Sequence, residues 1–388
     1  MFLSKIYVYE TFGGFVSLKI LVLSCSTGEG HNSAAKAVIE ALAANGAECE
    51  LIDPISFKSE KMMRRVSATY NNIITKTPAL FGSIYKIGAV YESLHLKSPV
   101  AWANSKYAEK LSEYIKAGGF DAVVCTQLFT MQAMVAAKEK HGIELPVYCV
   151  LTDYTVIPFY KDAKALDLHF VPTDSVKSEL IKKGFPEERL MTTGIPTSPK
   201  FSLNLTKSEA KEILAIPEDK RVISILSGGA GCGKIIKICR LINKRLDSSH
   251  VICVFSGKNE KLKEKLEKEF GNSDKVKVIS FTPDVNIYIK ASDVTLSKPG
   301  GLSSTEVAAV RCPLVHLKAI PGCESYNIKY FTENGLSLPG KSVRSAVAQT
   351  ERLLSDARLA EDIKTAQEQL IPNYSAELIA NKIIEGNK

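Results

Sequence analysis

The sequence of 388 residues lacks the features that mark several large protein classes. No apolar run approaches the ~20 residues needed to cross a bilayer, so no membrane-spanning helix is expected. No small-residue cleavage site follows the first apolar run, residues 20–23, so no signal peptide is predicted. The nine cysteines have neither paired spacing nor a metal-binding pattern with histidine. This usage is typical of reduced cytosolic thiols and predicts no metal site.

Two segments match nucleotide-binding motifs only in part, which argues against an NAD(P)-binding protein and against an ATPase. Residues 28–33 resemble a dinucleotide fingerprint, but Ser33 replaces its third glycine and His31 occupies the turn. Residues 228–235 resemble the phosphate loop of ATPases, but Ile235 stands where a serine or threonine would bind Mg²⁺. Neither an NAD(P) site nor an ATPase is therefore favoured.

Both halves of the chain alternate strand-like apolar runs with helical segments. This alternation predicts an α/β protein with two Rossmann-like domains that face each other across a cleft. Segment 194–199 contains one glycine and two prolines, which break regular structure, and it therefore indicates a linker. We predict an N-terminal domain over residues 1–196, a C-terminal domain over 197–371, and a last helix in 372–388 that packs back on the first domain. Residues 1–17 match no pattern, and two amphipathic helices are expected after Leu338.

The first candidate site is centred on His31, which is predicted at a helix N-terminus and at the C-terminal edge of a parallel sheet. The positive end of the helix dipole favours a neutral imidazole, which suits a general base. Alternatively, His31 only caps that helix. Asp153 follows an apolar strand, a usual place for a functional carboxylate, although Thr152 and Asp153 equally suit a helix cap.

The second candidate site is the glycine-rich turn at residues 298–301, which follows the predicted strand 293–296. The hydroxyls of residues 303–305 are expected to cap the next helix. Such a turn frees backbone N–H groups at the positive end of a helix, which suits an anion such as a diphosphate. Glu306 is expected one turn into this helix, where it could bind a sugar diol or simply satisfy the dipole.

The formal charge of +8 is concentrated in one segment. Residues 58–116 hold ten Lys and Arg against four Glu, together with seven aromatic residues that include the single tryptophan. Basic residues mixed with aromatics suit an anionic membrane surface or a nucleic acid, and a solvated helical face is the alternative. The candidate membrane-binding residues are Arg64, Arg65 and Trp102.

Six motifs in one order resemble those of the monogalactosyl- and glucosyl-diacylglycerol synthases, which are relatives of the transferase that adds GlcNAc to lipid I. The motifs are Thr27–His31, Leu151–Asp153, Gly194–Pro196, Ser227–Gly229, Ser297–Gly301 and Pro321–Asn327. The resemblance spans roughly residues 18–380. It implies a GT-B fold, a UDP-sugar donor held by the C-terminal domain, and inversion at the anomeric carbon without a metal or other cofactor.

The resemblance also implies roles for individual residues. His31 corresponds to the family's proposed base, and the segment 57–116 corresponds to the region thought to dock on the membrane. Asp153, in the motif Leu151–Asp153, is the second candidate catalytic residue. Within the donor site, residues 281–282 would meet uracil, Glu306 the ribose, 298–301 the diphosphate and 323–327 the hexose. The implied donor-binding residues are Gly30, Ser227, Gly228, Gly229, Phe281, Thr282, Lys298, Pro299, Gly300, Gly301, Glu306, Cys323, Glu324 and Asn327.

Two departures from the family pattern bear on the substrates. Cys323 replaces the glutamine of the hexose turn, and Ile157 and Tyr160 stand where a histidine and a tryptophan are common. We predict a cytoplasmic, peripheral protein that transfers a hexose from UDP-glucose or UDP-galactose to diacylglycerol at the anionic inner face of the cell membrane, with no nucleic-acid partner. The alternatives are a lipid I-type GlcNAc transferase, a UDP-sugar 2-epimerase on the same fold, and a non-enzymatic lipid- or nucleic-acid-binding module.

Overall fold

The computed structural model describes residues 7–9, 18–25, 29–77, 82–83, 85, 87–88, 99–228 and 234–387. The chain divides into two compact units. One comprises Met1–Pro199 with Asn373–Lys388, and the other comprises Lys200–Pro372. Each unit is built on one sheet with its own buried apolar core.

The described residues of the first unit form a seven-stranded sheet in the order β1-β3-β2-β4-β5-β6-β7. Its strands are β1 (Tyr7–Tyr9), β2 (Lys19–Leu23), β3 (Glu48–Ile52), β4 (Ala122–Cys125), β5 (Val147–Val150), β6 (Leu168–Val171) and β7 (Leu190–Thr192). All neighbours are parallel except β1, which pairs antiparallel with β3. Residues 7–9, for which the sequence showed no pattern, form strand β1, and a strand of three residues is too short to show a period.

The helices of the first unit connect these strands. They are α1 (Glu29–Ala44), α2 (Glu60–Lys76), α3 (Pro99–Ser105), α4 (Ala108–Gly118), α5 (Leu128–His141) and α6 (Asp174–Lys182). Strands β2, β4 and β5 are almost wholly buried, as their continuous apolar runs predict for a parallel sheet covered on both faces.

The described residues of the second unit form a six-stranded parallel sheet in the order β10-β9-β8-β11-β12-β13. Its strands are β8 (Arg221–Leu226), β9 (His250–Gly257), β10 (Val276–Ser280), β11 (Val294–Ser297), β12 (Leu314–His316) and β13 (Leu338–Pro339). Its helices are α7 (Lys207–Ile213), α8 (Ile235–Arg245), α9 (Glu260–Phe270), α10 (Val285–Ala291), α11 (Gly301–Ala309), α12 (Cys323–Glu333), α13 (Val343–Ser355) and α14 (Ala357–Leu370).

The last helix, α15 (Ser375–Glu385), belongs to the first unit and packs against α1. Its Ile379 and Ile383 are fully buried in the cluster that contains the α1 residues Val38 and Leu42. Burying two such side chains stabilises the contact by roughly 3–6 kcal/mol. Three helices, α13 to α15, therefore follow Leu338 where the sequence predicted two, because Asp356 caps a new helix through a hydrogen bond to the backbone N–H of Leu359.

Candidate active site

Both sheets reverse the direction of their strand order at one strand, β2 in the first sheet and β8 in the second. In the first sheet β2 lies between β3 and β4, and in the second β8 lies between β9 and β11. Ligands of open α/β sheets bind outside the carboxyl ends of the strands at such a switch point. His31 follows β2 at the first of these positions, and Ser227, Gly228 and the turn at residues 298–301 follow β8 and β11 at the second.

His31 lies in the first turn of α1, the helix that follows β2. Its Nδ1 atom is 3.0 Å from the backbone carbonyl oxygen of Thr126, directly after β4, and 2.8 Å from Oγ1 of Thr152, just after β5. A carbonyl oxygen only accepts hydrogen bonds, so Nδ1 carries the proton. This tautomer leaves the lone pair on Nε2, and the imidazole is oriented for use as a base.

Burial lowers the pKa of His31 to about 4, while the hydrogen bond to the Thr126 carbonyl acts in the opposite direction. The imidazole is therefore neutral at pH 7, although the residue keeps part of its surface exposed. The predicted neutral state is reached for a different reason than the helix dipole, because desolvation is the largest contribution.

The surroundings of His31 come from three separate strand ends. The hydroxyl of Ser24, after β2, donates to Oδ1 of Asn32 at 2.7 Å and joins the strand end to the first turn of α1. Gly30 lies in that same turn. Asp153 lies at the same sheet edge because it directly follows Thr152, and the residue is partly exposed. Residues 26–28 lie outside the described residues.

In the second unit, the turn after β11 differs from the prediction in how its helix begins. Helix α11 starts at Gly301, and Gly300 is an N-cap residue without a side-chain hydrogen bond to the helix. The predicted hydroxyl caps were wrong: Ser304 contacts Nε2 of the buried His316 at 2.8 Å, and Thr305 donates to the Gly301 carbonyl at 2.7 Å. No side chain caps the first turn of this helix, and Glu306 consequently lies in its second turn.

Lys298 connects this turn to two other segments. Its Nζ atom is 2.8 Å from Oε1 of Glu324, in the first turn of α12. Its methylene stem passes close to Gly228, after β8, where an added Cβ would lie 2.8 Å from Cε of Lys298. Gly228 has φ +70°, a conformation that favours glycine. Asn327, which is fully buried, donates to the carbonyl of Pro299 at 3.1 Å.

Glu306 and the turn after β10 are linked by Lys200. Burial raises the pKa of Glu306 to about 7, and the charge of Lys200 lowers it in part. Nζ of Lys200 also donates to the carbonyl of Pro283 at 2.6 Å. Next to Pro283, Oγ1 of Thr282 accepts from a backbone N–H, and Phe281 is 59% exposed with Nζ of Lys258 5.0 Å from its ring centre.

The remaining predicted donor-site residues occupy the same sheet edge with fewer contacts. Ser227 is buried, and its hydroxyl donates to the Gly228 carbonyl at 3.2 Å. Cys323 is partly exposed at the start of α12. Gly229 lies outside the described residues.

The basic and aromatic segment is helical where it is described. Arg64 and Arg65 are exposed on α2, and Arg64 pairs with Glu60 at 3.3 Å. Trp102 on α3 is 65% exposed, and Nζ of Lys106 lies 3.6 Å from its ring centre. Across the described ranges, no helix has the length and apolarity that crossing a bilayer requires, and no group of three or more His, Cys, Asp and Glu could hold a metal ion.

Comparisons with known proteins agree over both units. The family model described as monogalactosyldiacylglycerol (MGDG) synthase matches residues 31–197, and the model described as glycosyl transferases group 1 matches residues 207–370. A processive diacylglycerol beta-glucosyltransferase of Bacillus thuringiensis (strain Al Hakam) is 26% identical over 372 residues, which cover 95% of this chain and 94% of that protein. The resemblance to the monogalactosyl- and glucosyl-diacylglycerol synthases that the motifs predicted is thereby confirmed: one half of the chain matches the MGDG synthase model, the other half matches the glycosyl transferases group 1 model, and a curated relative covers both.

Solved structures show the fold of this chain. The MnaA–UDP co-structure from S. aureus has a TM-score of 0.62 at 18% identity and covers 94% of this chain and 96% of that chain. MurG from Acinetobacter baumannii also has a TM-score of 0.62, at 14% identity, and covers 95% of this chain and 99% of that chain. The predicted two-domain GT-B fold is thereby confirmed, and the chain is a glycosyltransferase.

Two contacts of this glycosyltransferase were missed by sequence reasoning. Thr152 was considered only as a cap, and Thr126 was not considered at all, yet both contact Nδ1 of His31. A signal was present, because each threonine follows a buried strand whose carboxyl end faces the switch point.

Proposed function

We propose that this glycosyltransferase moves a hexose from a UDP-sugar, UDP-glucose or UDP-galactose, to diacylglycerol at a membrane surface, with inversion at the anomeric carbon. The observation that carries the proposal is the oriented, neutral His31 in a chain of the diacylglycerol synthase family. The relative named as a processive diacylglycerol beta-glucosyltransferase supports the acceptor, and UDP-bound structures of the same fold support the donor.

The proposed reaction is a single displacement. Nε2 of His31 takes the proton of the acceptor hydroxyl as its oxygen forms a bond to the anomeric carbon, and the bond from that carbon to the UDP oxygen breaks. The electron pair of the broken bond leaves with UDP. Attack opposite the leaving group inverts the anomeric carbon.

The leaving diphosphate gains negative charge and needs compensation. In this proposal the compensation comes from the ammonium of Lys298 and from the uncapped backbone N–H groups at the start of α11, without a metal ion. Glu306 accepts hydrogen bonds from the ribose hydroxyls, and Phe281 and Thr282 meet the uracil.

The acceptor is a membrane lipid, so the protein must work at a lipid surface. We assign this contact to the exposed Arg64, Arg65 and Trp102 of the first unit, because basic residues and a tryptophan together suit an anionic interface. In this proposal the protein acts as a peripheral enzyme on the cytoplasmic face of the membrane. A charge-reversed Arg64→Glu/Arg65→Glu variant should sediment less with anionic liposomes at low salt, whereas equal sedimentation would remove these residues from the membrane contact.

The test incubates the purified protein with radiolabelled UDP-glucose or UDP-galactose and diacylglycerol vesicles, and in parallel with radiolabelled UDP-GlcNAc and vesicles that contain an undecaprenyl-linked acceptor. The proposal expects labelled lipid whose glycosidic bond has the β configuration, since the donor's bond is α. Epimerised nucleotide sugar without labelled lipid would instead identify a UDP-sugar 2-epimerase. Label transferred only to an undecaprenyl-linked acceptor would identify a lipid I-type transferase.

A further inference from the structure

Glu324 is held on both of its carboxylate oxygens by the chain itself. Oε1 lies 2.8 Å from Nζ of Lys298, and Oε2 accepts the backbone N–H of Ile320 at 2.9 Å. The residue is only 7% exposed. Little of this carboxylate therefore remains available to a ligand, although the resemblance implies that Glu324 faces the hexose.

Lys298 is correspondingly fixed along its whole length. Its head group is paired with Glu324, and its stem lies against Gly228, where an added Cβ would also be 3.3 Å from Cδ of Lys298. Its side chain is 27% exposed, so it still has surface toward solvent. A lysine side chain is otherwise flexible and strongly hydrated, and it loses much freedom when it binds an anion.

A second contact from the same face of α12 holds the turn from the other side. Asn327, three residues after Glu324, donates to the Pro299 carbonyl. Helix α12 thus holds both the charge at Lys298 and the backbone that follows it. Because these groups are already ordered before a ligand arrives, the binding step does not have to include the loss of conformational entropy of the lysine side chain.

We propose that Glu324 is a positioning residue that acts on the donor's diphosphate through Lys298 and is not a ligand of the transferred hexose. The proposal rests on the proposed function, in that the turn at residues 297–306 holds a UDP-sugar. The neighbours of Glu324 in the first turn of α12, the partly exposed Cys323 and the exposed Ser325 and Tyr326, keep surface available to a sugar.

The test compares the affinity for UDP with that for UDP-glucose by titration calorimetry. Glu324→Asp keeps the negative charge but shortens the side chain by one methylene, so the carboxylate no longer reaches both Lys298 and the Ile320 N–H. We expect both affinities to fall about tenfold and by the same factor, the size typical for losing a charged hydrogen bond. A hexose ligand would instead leave the affinity for UDP unchanged and lower only that for UDP-glucose.

A double-mutant cycle separates action through Lys298 from a general disturbance of α12. In a Lys298→Met background, Glu324→Asp should change the UDP affinity no further. The matched control is Glu333→Asp, which alters the exposed 3.9 Å pair with Lys329 on the same helix and should leave UDP affinity unchanged.

The outcomes distinguish this inference from the proposed function. A wild-type protein that binds neither UDP nor any UDP-sugar overturns both. If UDP binds but Glu324→Asp acts equally with and without Lys298, the inference alone is wrong. Should Glu324→Asp fail to fold, Glu324→Gln provides the same comparison, because it retains an acceptor for Ile320 and must still shift both affinities by one factor through Lys298.

Discussion

The two units collect their site residues at the same point of the same topology but hold them in opposite electrostatic states. In the first unit the central group is the uncharged His31, held by a backbone carbonyl and a threonine hydroxyl. In the second unit it is the charged Lys298, held by Glu324. Proton transfer to a base requires a neutral group with a free lone pair, whereas diphosphate binding requires fixed positive charge. Under the proposed function, the first unit would carry the acid–base chemistry and the second unit would bind the anion.

The largest effect is expected from the variant His31→Ala, which tests whether the first unit supplies the base. Loss of the base should lower the rate of lipid glycosylation by about 10²–10⁴-fold, while UDP affinity stays unchanged because the donor-binding residues of the second unit are intact. The rate is measured with labelled UDP-sugar and the affinity by calorimetry. His141→Ala, at the end of α5 in the same unit, is the matched control and should retain full rate. Turnover retained by His31→Ala would remove His31 from the role of base.

The converse variant is Gly228→Ala, which should weaken UDP binding by more than about tenfold. The added Cβ would meet the stem of Lys298 at 2.8 Å and displace its ammonium, in addition to the strain of a positive φ. Gly335→Ala is a close control, since Gly335 has the same φ of +70° in the same unit but its Cβ would meet only Ala366 at 4.0 Å. This control should cost about 1 kcal/mol of stability without changing UDP affinity. Equal loss of UDP affinity in both variants would show that strain alone is responsible.

A smaller effect is expected from Thr152→Val, which removes the hydroxyl next to Nδ1 but preserves the side-chain shape. The Thr126 carbonyl still fixes the tautomer, so we expect the rate to fall only about tenfold, with KM for the donor unchanged. Thr155→Val, at an equally buried threonine three residues further along the loop, is the control. A loss as large as that of His31→Ala would mean that the hydroxyl, rather than the carbonyl, sets the tautomer.

The sequence was informative wherever a site depends on one strand, one turn and the following helix. Residues 297–301 and His31 were recognised in this way, because an apolar run followed by glycines and then a helix is a local pattern. The contacts made across strands were not predicted, since Thr126 and Thr152 reach His31 only through the strand order, and the position of each threonine after a buried strand was the only sequence signal. The order itself is set by which apolar faces pack together.

The errors at the start of α11 have a similar origin. Three consecutive hydroxyl residues looked like caps, but the helix starts earlier, at Gly301, and places them inside its first two turns. There Ser304 forms a hydrogen bond with His316 on β12. The two residues are too far apart in the sequence for a local pattern to predict this contact. A buried histidine with both nitrogens bonded to serines, at Ser304 and Ser337, competes successfully for a hydroxyl that could have capped the helix.

The smallest predicted effect concerns pH, because the candidate site of each unit contains a titratable group with a shifted pKa. Burial moves the pKa of Glu306 up to about 7 and that of His31 down to about 4, so each favours its neutral form. If the ionised Glu306 binds the ribose diol, affinity for UDP-glucose should fall a few-fold as the pH decreases from 8 to 6, because protonation removes an acceptor. The His31 imidazole stays neutral over this range and should contribute no change in rate at saturating donor.

Glu306→Gln should bind UDP-glucose more weakly at pH 8 and with no pH dependence between 6 and 8. An unchanged pH dependence in that variant would assign the titration to another group and leave Glu306 as a buried structural carboxyl.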